Sequence, residues 1–249
     1  MAAIDADWFV LPPAEGQPPL RCWWARPLAP GWPRGAVLLL PEVFGINSWV
    51  RAVAERLAGE GYGVLVLPLF ARTAPDLELG YDETALALGR QHRDQVSASG
   101  VLDDARRAIA WLQQQPGLIG RPVACLGFCF GGHLALHVAT LAAVALTCDI
   151  YGARVSNFCP GGGSPTLTVV PRIPGDLLCL CGDQDPLMPS QEREAIAAAL
   201  QAAGSTRRRE LVVLPGAGHG FLCDQRADYH PAAAAQAWDL VLEALAQAL

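Results

Sequence analysis

Six short apolar runs recur along the chain, at residues 36–40, 63–67, 122–126, 144–150, 176–181 and 210–214. They are aliphatic and β-branched and do not alternate with polar residues, the pattern of strands covered on both faces, as in a parallel sheet. Between them apolar positions return at helical spacing. Residues 48–58 open with Ser48 as the cap and stop near Gly59, and residues 102–114 place Ala105, Ile109 and Leu112 on one face. Residues 130–141, 191–203 and 231–249 complete the helical set. Strand and helix alternate to the end, which predicts a mostly parallel, doubly wound α/β sheet with helices on both faces. The segment around Trp23 and Trp24 is expected to add antiparallel strands at one edge. Gly161-Gly162-Gly163-Ser164-Pro165 reads as a flexible excursion too short to divide the chain, so residues 1–249 are expected to form a single domain.

Composition narrows the function classes. With 52% hydrophobic and 17% charged residues there is material for one well-filled core. A net charge of −6 argues against a phosphate-tracking surface and hence against a nucleic-acid partner. No apolar run reaches bilayer-spanning length. Residues 1–11 carry Asp5 and Asp7 and lack the basic leader and long apolar centre of a signal peptide. The expectation is a cytoplasmic protein, monomeric or a small homo-oligomer, with no membrane partner. The eight cysteines then read as reduced, and Cys125, Cys148, Cys179 and Cys181 lie in apolar runs where a thiol acts as a small hydrophobe. Cys179-Leu180-Cys181 lacks the C-x-x-C spacing and has no second pair, so no metal is expected there.

Chemistry concentrates at the end of the third run. There Gly127-Phe128-Cys129-Phe130-Gly131 joins a strand to a helix, the pattern of a nucleophile elbow with cysteine in the serine position. A sharp strand-to-helix turn strains the nucleophile's backbone, and glycines on either side remove the resulting collisions. The following helix aims its positive end at the thiol, favouring a thiolate and a developing oxyanion. The competing readings are a glycine-rich turn with a buried cysteine, or a dinucleotide loop, and the latter fails for want of the full G-x-G-x-x-G order. In such folds an acid and then a base follow on loops after later strands. Residues 176–181 lead into Gly182-Asp183-Gln184-Asp185-Pro186, and 210–214 into Pro215-Gly216-Ala217-Gly218-His219-Gly220. The order Cys129, acid, His219 is the required one, with His219 as the proton acceptor. Asp183 and Asp185 both qualify as the acid. Asp183 directly follows a glycine and suits a turn cap, whereas Asp185, deeper in the loop, is better placed to reach the imidazole.

These segments, together with Pro41-Glu42-Val43-Phe44-Gly45-Ile46-Asn47 and Leu69-Phe70-Ala71-Arg72, resemble the dienelactone hydrolase family over most of the chain. The first of the added segments is the most specific, because α/β hydrolases in general do not share it. The resemblance implies the α/β-hydrolase fold, a triad of Cys129, His219 and Asp185, and no metal or organic cofactor. It gives Glu42 a part in forming the thiolate, and it assigns the oxyanion hole to the backbone N–H groups of Val43 and Phe130. A carboxylate beside a thiol disfavours a second negative charge, which makes the assignment to Glu42 physically reasonable.

One departure from the family pattern concerns the substrate. An arginine expected four residues after the histidine is Cys223, with Asp224 beside it and Arg226 further along. A second expected arginine falls near Leu86, with Arg90 and Arg93 close by. Arg72, Arg90 and Arg93 are either replacements or surface charge. The candidate substrate contacts are Phe44, Arg72, Arg90 and Tyr151. The expected activity is hydrolysis of a small lactone or activated ester through an acyl-thioenzyme. The alternatives are a thioesterase or carboxylesterase with a less acidic substrate, and a non-catalytic, thiol-sensing or ligand-binding relative.

Overall fold

The computed structural model describes residues 3–28, 33–204 and 206–249. The apolar runs form strands β3 (Ala36–Leu40), β4 (Gly63–Val66), β5 (Val123–Phe128), β6 (Val144–Ile150), β7 (Asp176–Gly182) and β8 (Arg209–Leu214). They are preceded by β1 (Ile4–Leu11) and β2 (Leu20–Pro27). All eight share one sheet in the order β1-β2-β4-β3-β5-β6-β7-β8. The six central and later strands are parallel, while β1 and β2 run antiparallel at one edge. Trp23 belongs to that edge, where it faces Trp8 across the β1–β2 ladder with ring centroids 5.3 Å apart.

Among the described residues six α-helices cover the sheet: α1 (Ser48–Gly59), α2 (Glu83–Arg93), α3 (Ala98–Leu112), α4 (Phe130–Val138), α5 (Ser190–Ala202) and α6 (Pro231–Ala248). Successive side chains of a strand point to opposite faces, so the runs buried on both sides split between two cores. Val37 and Leu39 of β3 join α1, α5 and α6 in one apolar cluster, while Leu38 and Leu40 join α3 and much of α4 in the other. All five residues of β3 are buried, which explains their unalternating sequence.

Several boundaries differ from the sequence reading for local reasons. Asn47, not Ser48, caps α1: its side chain accepts from the Val50 N–H at 3.2 Å, and Ser48 lies inside the first turn with its hydroxyl toward Gln225. Helix α3 starts at Ala98 because Ser97 caps it through the Gly100 N–H. Helix α4 stops at Val138, short of residue 141. Helix α2 went unread because only Ala85 and Gly89 are buried, too few to give a periodic stripe. The glycine-rich stretch is exposed over residues 161–164 but anchored at its start. Gly161 packs on Ser97 so closely that a Cβ would lie 2.6 Å from the serine Cβ, and the chain then enters a 3-10 helix, Thr166–Arg172. Among the described residues no helix is long and apolar enough to cross a membrane.

The cap assignment is directly testable. Asn47→Ala should lower the unfolding free energy by about 1–2 kcal/mol, and Ser48→Ala by no more than roughly 0.5 kcal/mol, both measured by urea denaturation. Equal effects at the two positions would contradict it.

Candidate active site

Strand β5 delivers Cys129 to the start of α4. The residue has φ 52° and ψ −114°, a left-handed conformation that costs a non-glycine residue energy and persists only where its surroundings enforce it. The Cys129 N–H donates to Ile150 O at 3.0 Å, and its carbonyl accepts from the His133 N–H at 3.0 Å. The flanking glycines are required by contact. A Cβ at Gly127 would meet Gly131 O at 2.1 Å, and one at Gly131 would meet Leu40 O at 2.3 Å and Pro41 O at 2.5 Å. With no side chains there, α4 begins directly against the end of β3, its unpaired N–H groups toward the thiol.

Two further strand-end loops converge on that thiol. His219, on the loop after β8, places Nε2 3.1 Å from Cys129 Sγ. Its Nδ1–H donates to Asp185 Oδ2 at 2.8 Å, and Asp185 Oδ1 accepts from the Leu187 N–H at 2.8 Å. Asp185 and His219 are buried and Cys129 is half-buried. Asp183 accepts from the Gly216 N–H at 2.7 Å and so ties two loops together, away from the imidazole. Burial pulls the His219 imidazolium toward neutrality. The opposing pull of the Cys129 thiolate and the hydrogen bonds to Asp185 and Cys129 exceeds it, and the pKa rises to about 10.

A second ion pair stands beside this one. Glu42 follows β3, and its Oε1 accepts from Arg226 Nη1 at 2.8 Å. Burial pushes the Glu42 carboxyl upward, against the charges of Arg226 and His219. Arg226 also reaches Asp228 at 3.3 Å and packs over Gly220, where a Cβ would lie 2.5 Å from the guanidinium carbon. Cys223, at the position of the expected arginine, is fully buried, and burial together with the nearby Glu42 pushes its thiol up to about 12. Sequence reasoning named Arg226 only as lying further along and gave it no role. It sits seven residues after the histidine rather than four, and the turn through Cys223 and Gln225 brings it back onto Glu42.

A pocket of about 60 Å³ opens at Cys129 and His219, lined also by Val43, Phe130, His133, Phe158, Arg93 and Arg154. Val43 and Phe130 thus flank the thiol from two different elements. Phe44 is buried beneath, edge-on to Tyr81 at 4.7 Å, and Tyr151 is buried with φ 45°, its ring 5.3 Å from that of His219. The other expected contacts lie elsewhere. Arg72 is held by Asp104 at 2.5 and 3.1 Å and lines a separate cavity against α3. Arg90 is exposed and does not line the Cys129 pocket, whereas Arg93, one turn further along α2, does. Among the described residues no three His, Cys, Asp or Glu side chains converge as a metal site, and all eight cysteines are free thiols.

Residues 20–249 match the model of the dienelactone hydrolase family. The chain is 38% identical over 218 residues to a candidate carboxymethylenebutenolidase of Synechocystis sp., covering 87% of each chain. It is 30% identical over 224 residues to a candidate 2-oxo-3-(5-oxofuran-2-ylidene)propanoate lactonase of Bradyrhizobium sp., covering 88% of this chain and 85% of that one. Among solved structures, a candidate dienelactone hydrolase from Klebsiella pneumoniae superposes with a TM-score of 0.86 at 27% identity, covering 98% of this chain and 99% of the other.

The folded-state pKa of His219 exceeds its ordinary value of 6.5, so the imidazolium's contribution to stability is complete below pH 6.5 and is lost as pH rises toward 10. In Cys129→Ala the thiolate charge is gone and burial gains weight. The His219 ring titration followed by NMR should then move to lower pH by at least about one unit. An unmoved midpoint would show that the thiolate does not hold the imidazolium.

Proposed function

The chain belongs to the dienelactone hydrolase family and is a hydrolase of lactone or ester bonds, and we propose that it works through Cys129, His219 and Asp185 by way of an acyl-thioenzyme. The observation that carries this reading is the unbroken contact line from Sγ to Nε2 and from Nδ1 to Oδ2, with Cys129 held in its left-handed turn. Attack of the thiolate on the substrate carbonyl forms the C–S bond and moves the carbonyl electrons to oxygen. The Val43 and Phe130 N–H groups receive that oxyanion, each worth on the order of 3 kcal/mol by comparison with other acyl-transfer sites. Collapse expels the alkoxide, which takes the Nε2 proton of His219, and in a lactone this opens the ring. A water molecule then gives its proton to the same nitrogen while Asp185 holds the ring in place. Its attack on the thioester releases the acid and restores the thiolate.

Glu42 and Arg226 suggest how the thiolate arises. A substrate carboxylate that binds Arg226 withdraws the cation from Glu42 and leaves a buried, uncompensated carboxylate. Glu42 then becomes the stronger base and helps draw the thiol's proton onto His219 Nε2, so an acidic substrate shifts the pair toward the thiolate and imidazolium that attack. The propanoate in the name of the Bradyrhizobium relative supports a carboxylate-bearing lactone. A second reading, hydrolysis of less acidic esters, is favoured by the thiol of Cys223 at the place of the expected arginine.

Turnover of a dienelactone or a simple aryl ester should fall by at least about 10³-fold in Cys129→Ala. Undiminished turnover in that variant would end the proposal. Arg226→Gln should lower kcat/KM for a carboxylate-bearing lactone by at least about tenfold more than for its neutral ester. Equal losses on the two substrates would favour the second reading.

A further inference from the structure

Helix α2 gives the core little, since Ala85 and Gly89, one turn apart, are its buried residues. A glycine in a helix interior costs about 1 kcal/mol relative to alanine, so a packing reason is expected where one stands. Here the reason is a close approach. A Cβ at Gly89 would lie 2.4 Å from Val43 O and 3.1 Å from its carbonyl carbon. The loop carrying Val43 is gripped from the same segment at further points. The Leu79 N–H donates to Phe44 O at 2.9 Å, and Asn47 Nδ2 donates to Leu79 O at 3.0 Å. Arg51 ties Ile46 O to the Glu78 carboxylate. Gly45, at φ 75°, lies so near Leu77 that a Cβ would meet its carbonyl oxygen at 2.0 Å.

We infer that Gly89 and residues 77–79 are positioning elements of the oxyanion hole, fixing the Val43 backbone from behind while Val43 itself faces the pocket. The inference rests on the reading of the Val43 N–H as an oxyanion donor. Backbone pressed on backbone cannot yield as a side-chain tip can. Such donors act over a narrow range, about 2.7–3.1 Å from the oxyanion. Raising the 2.4 Å separation to ordinary contact shifts Val43, α2 or both by about 1 Å, enough to cost the donor much of its effect.

The test compares two reactions of one thiol. Hydrolysis of an aryl ester builds an oxyanion, whereas alkylation by iodoacetamide displaces iodide at a methylene carbon and builds none. Gly89→Ala should lower kcat for the ester at least about tenfold with KM changed less than about threefold, and leave the Cys129 alkylation rate within about twofold of wild type. Gly80→Ala, whose Cβ meets nothing within 4 Å, is the control and should change neither rate. Glu78→Ala, which releases Arg51 at the surface, should lower the ratio of ester turnover to alkylation by at least about threefold, and it serves if Gly89→Ala does not fold. An unchanged ratio in either folded variant overturns the inference, as does a parallel loss of both rates. The wild type and Cys129→Ala are assayed alongside. Turnover that survives loss of the thiol counts against the proposed function and not against the positioning role.

Discussion

The left-handed backbone of Cys129 is the constraint on which the rest of the site depends. A conformation that costs of order 1–3 kcal/mol is kept because β5, β6 and α4 leave the chain no alternative. The Cys129 N–H is bound to Ile150 O and its carbonyl to the His133 N–H. Gly127 and Gly131 follow from this turn, because the strand, the helix and the end of β3 meet at distances where a Cβ would sit inside a carbonyl oxygen. The result is a thiol at the positive end of a helix, aimed out of the sheet and within 3.1 Å of an imidazole.

Around that thiol the protein places charges in water-poor surroundings, where each is worth more than at the surface. Asp185 and His219 form one pair, Glu42 and Arg226 the other, and Tyr151 packs its ring against His219. Burial alone would discharge His219 and protonate Glu42. Each partner works against that tendency, and for His219 it prevails. The two pairs share the same space, so a substrate that alters one changes the proton affinity of the other. This coupling links substrate binding to nucleophile formation in the proposed mechanism.

Much of this was legible in the sequence because it depends on local pattern. The parallel strands announced themselves as unalternating apolar runs, and the glycine-flanked cysteine marked its own turn. The parts that were missed depend on contacts between distant segments. Arg226 faces Glu42 only because the loop after His219 folds back, and nothing at a fixed spacing reports that. Arg72 looked available until Asp104 of α3 was seen to hold it. Helix α2 is mostly exposed and carries an interior glycine, so both periodicity and propensity argued against it. The same glycine admits it to the backbone of Val43. Asp183 and Asp185 are two residues apart and chemically alike, and only the fold turns one to Gly216 and the other to His219.

The central claim is that Cys129 carries the acyl group. Rapid quenching of the enzyme with an aryl ester in excess, followed by intact-mass measurement and peptide mapping, tests it most directly. The account predicts one acyl adduct per chain, on the peptide containing Cys129, absent in Cys129→Ala. Turnover that continues with no adduct on that peptide, or with the adduct on another residue, would contradict it.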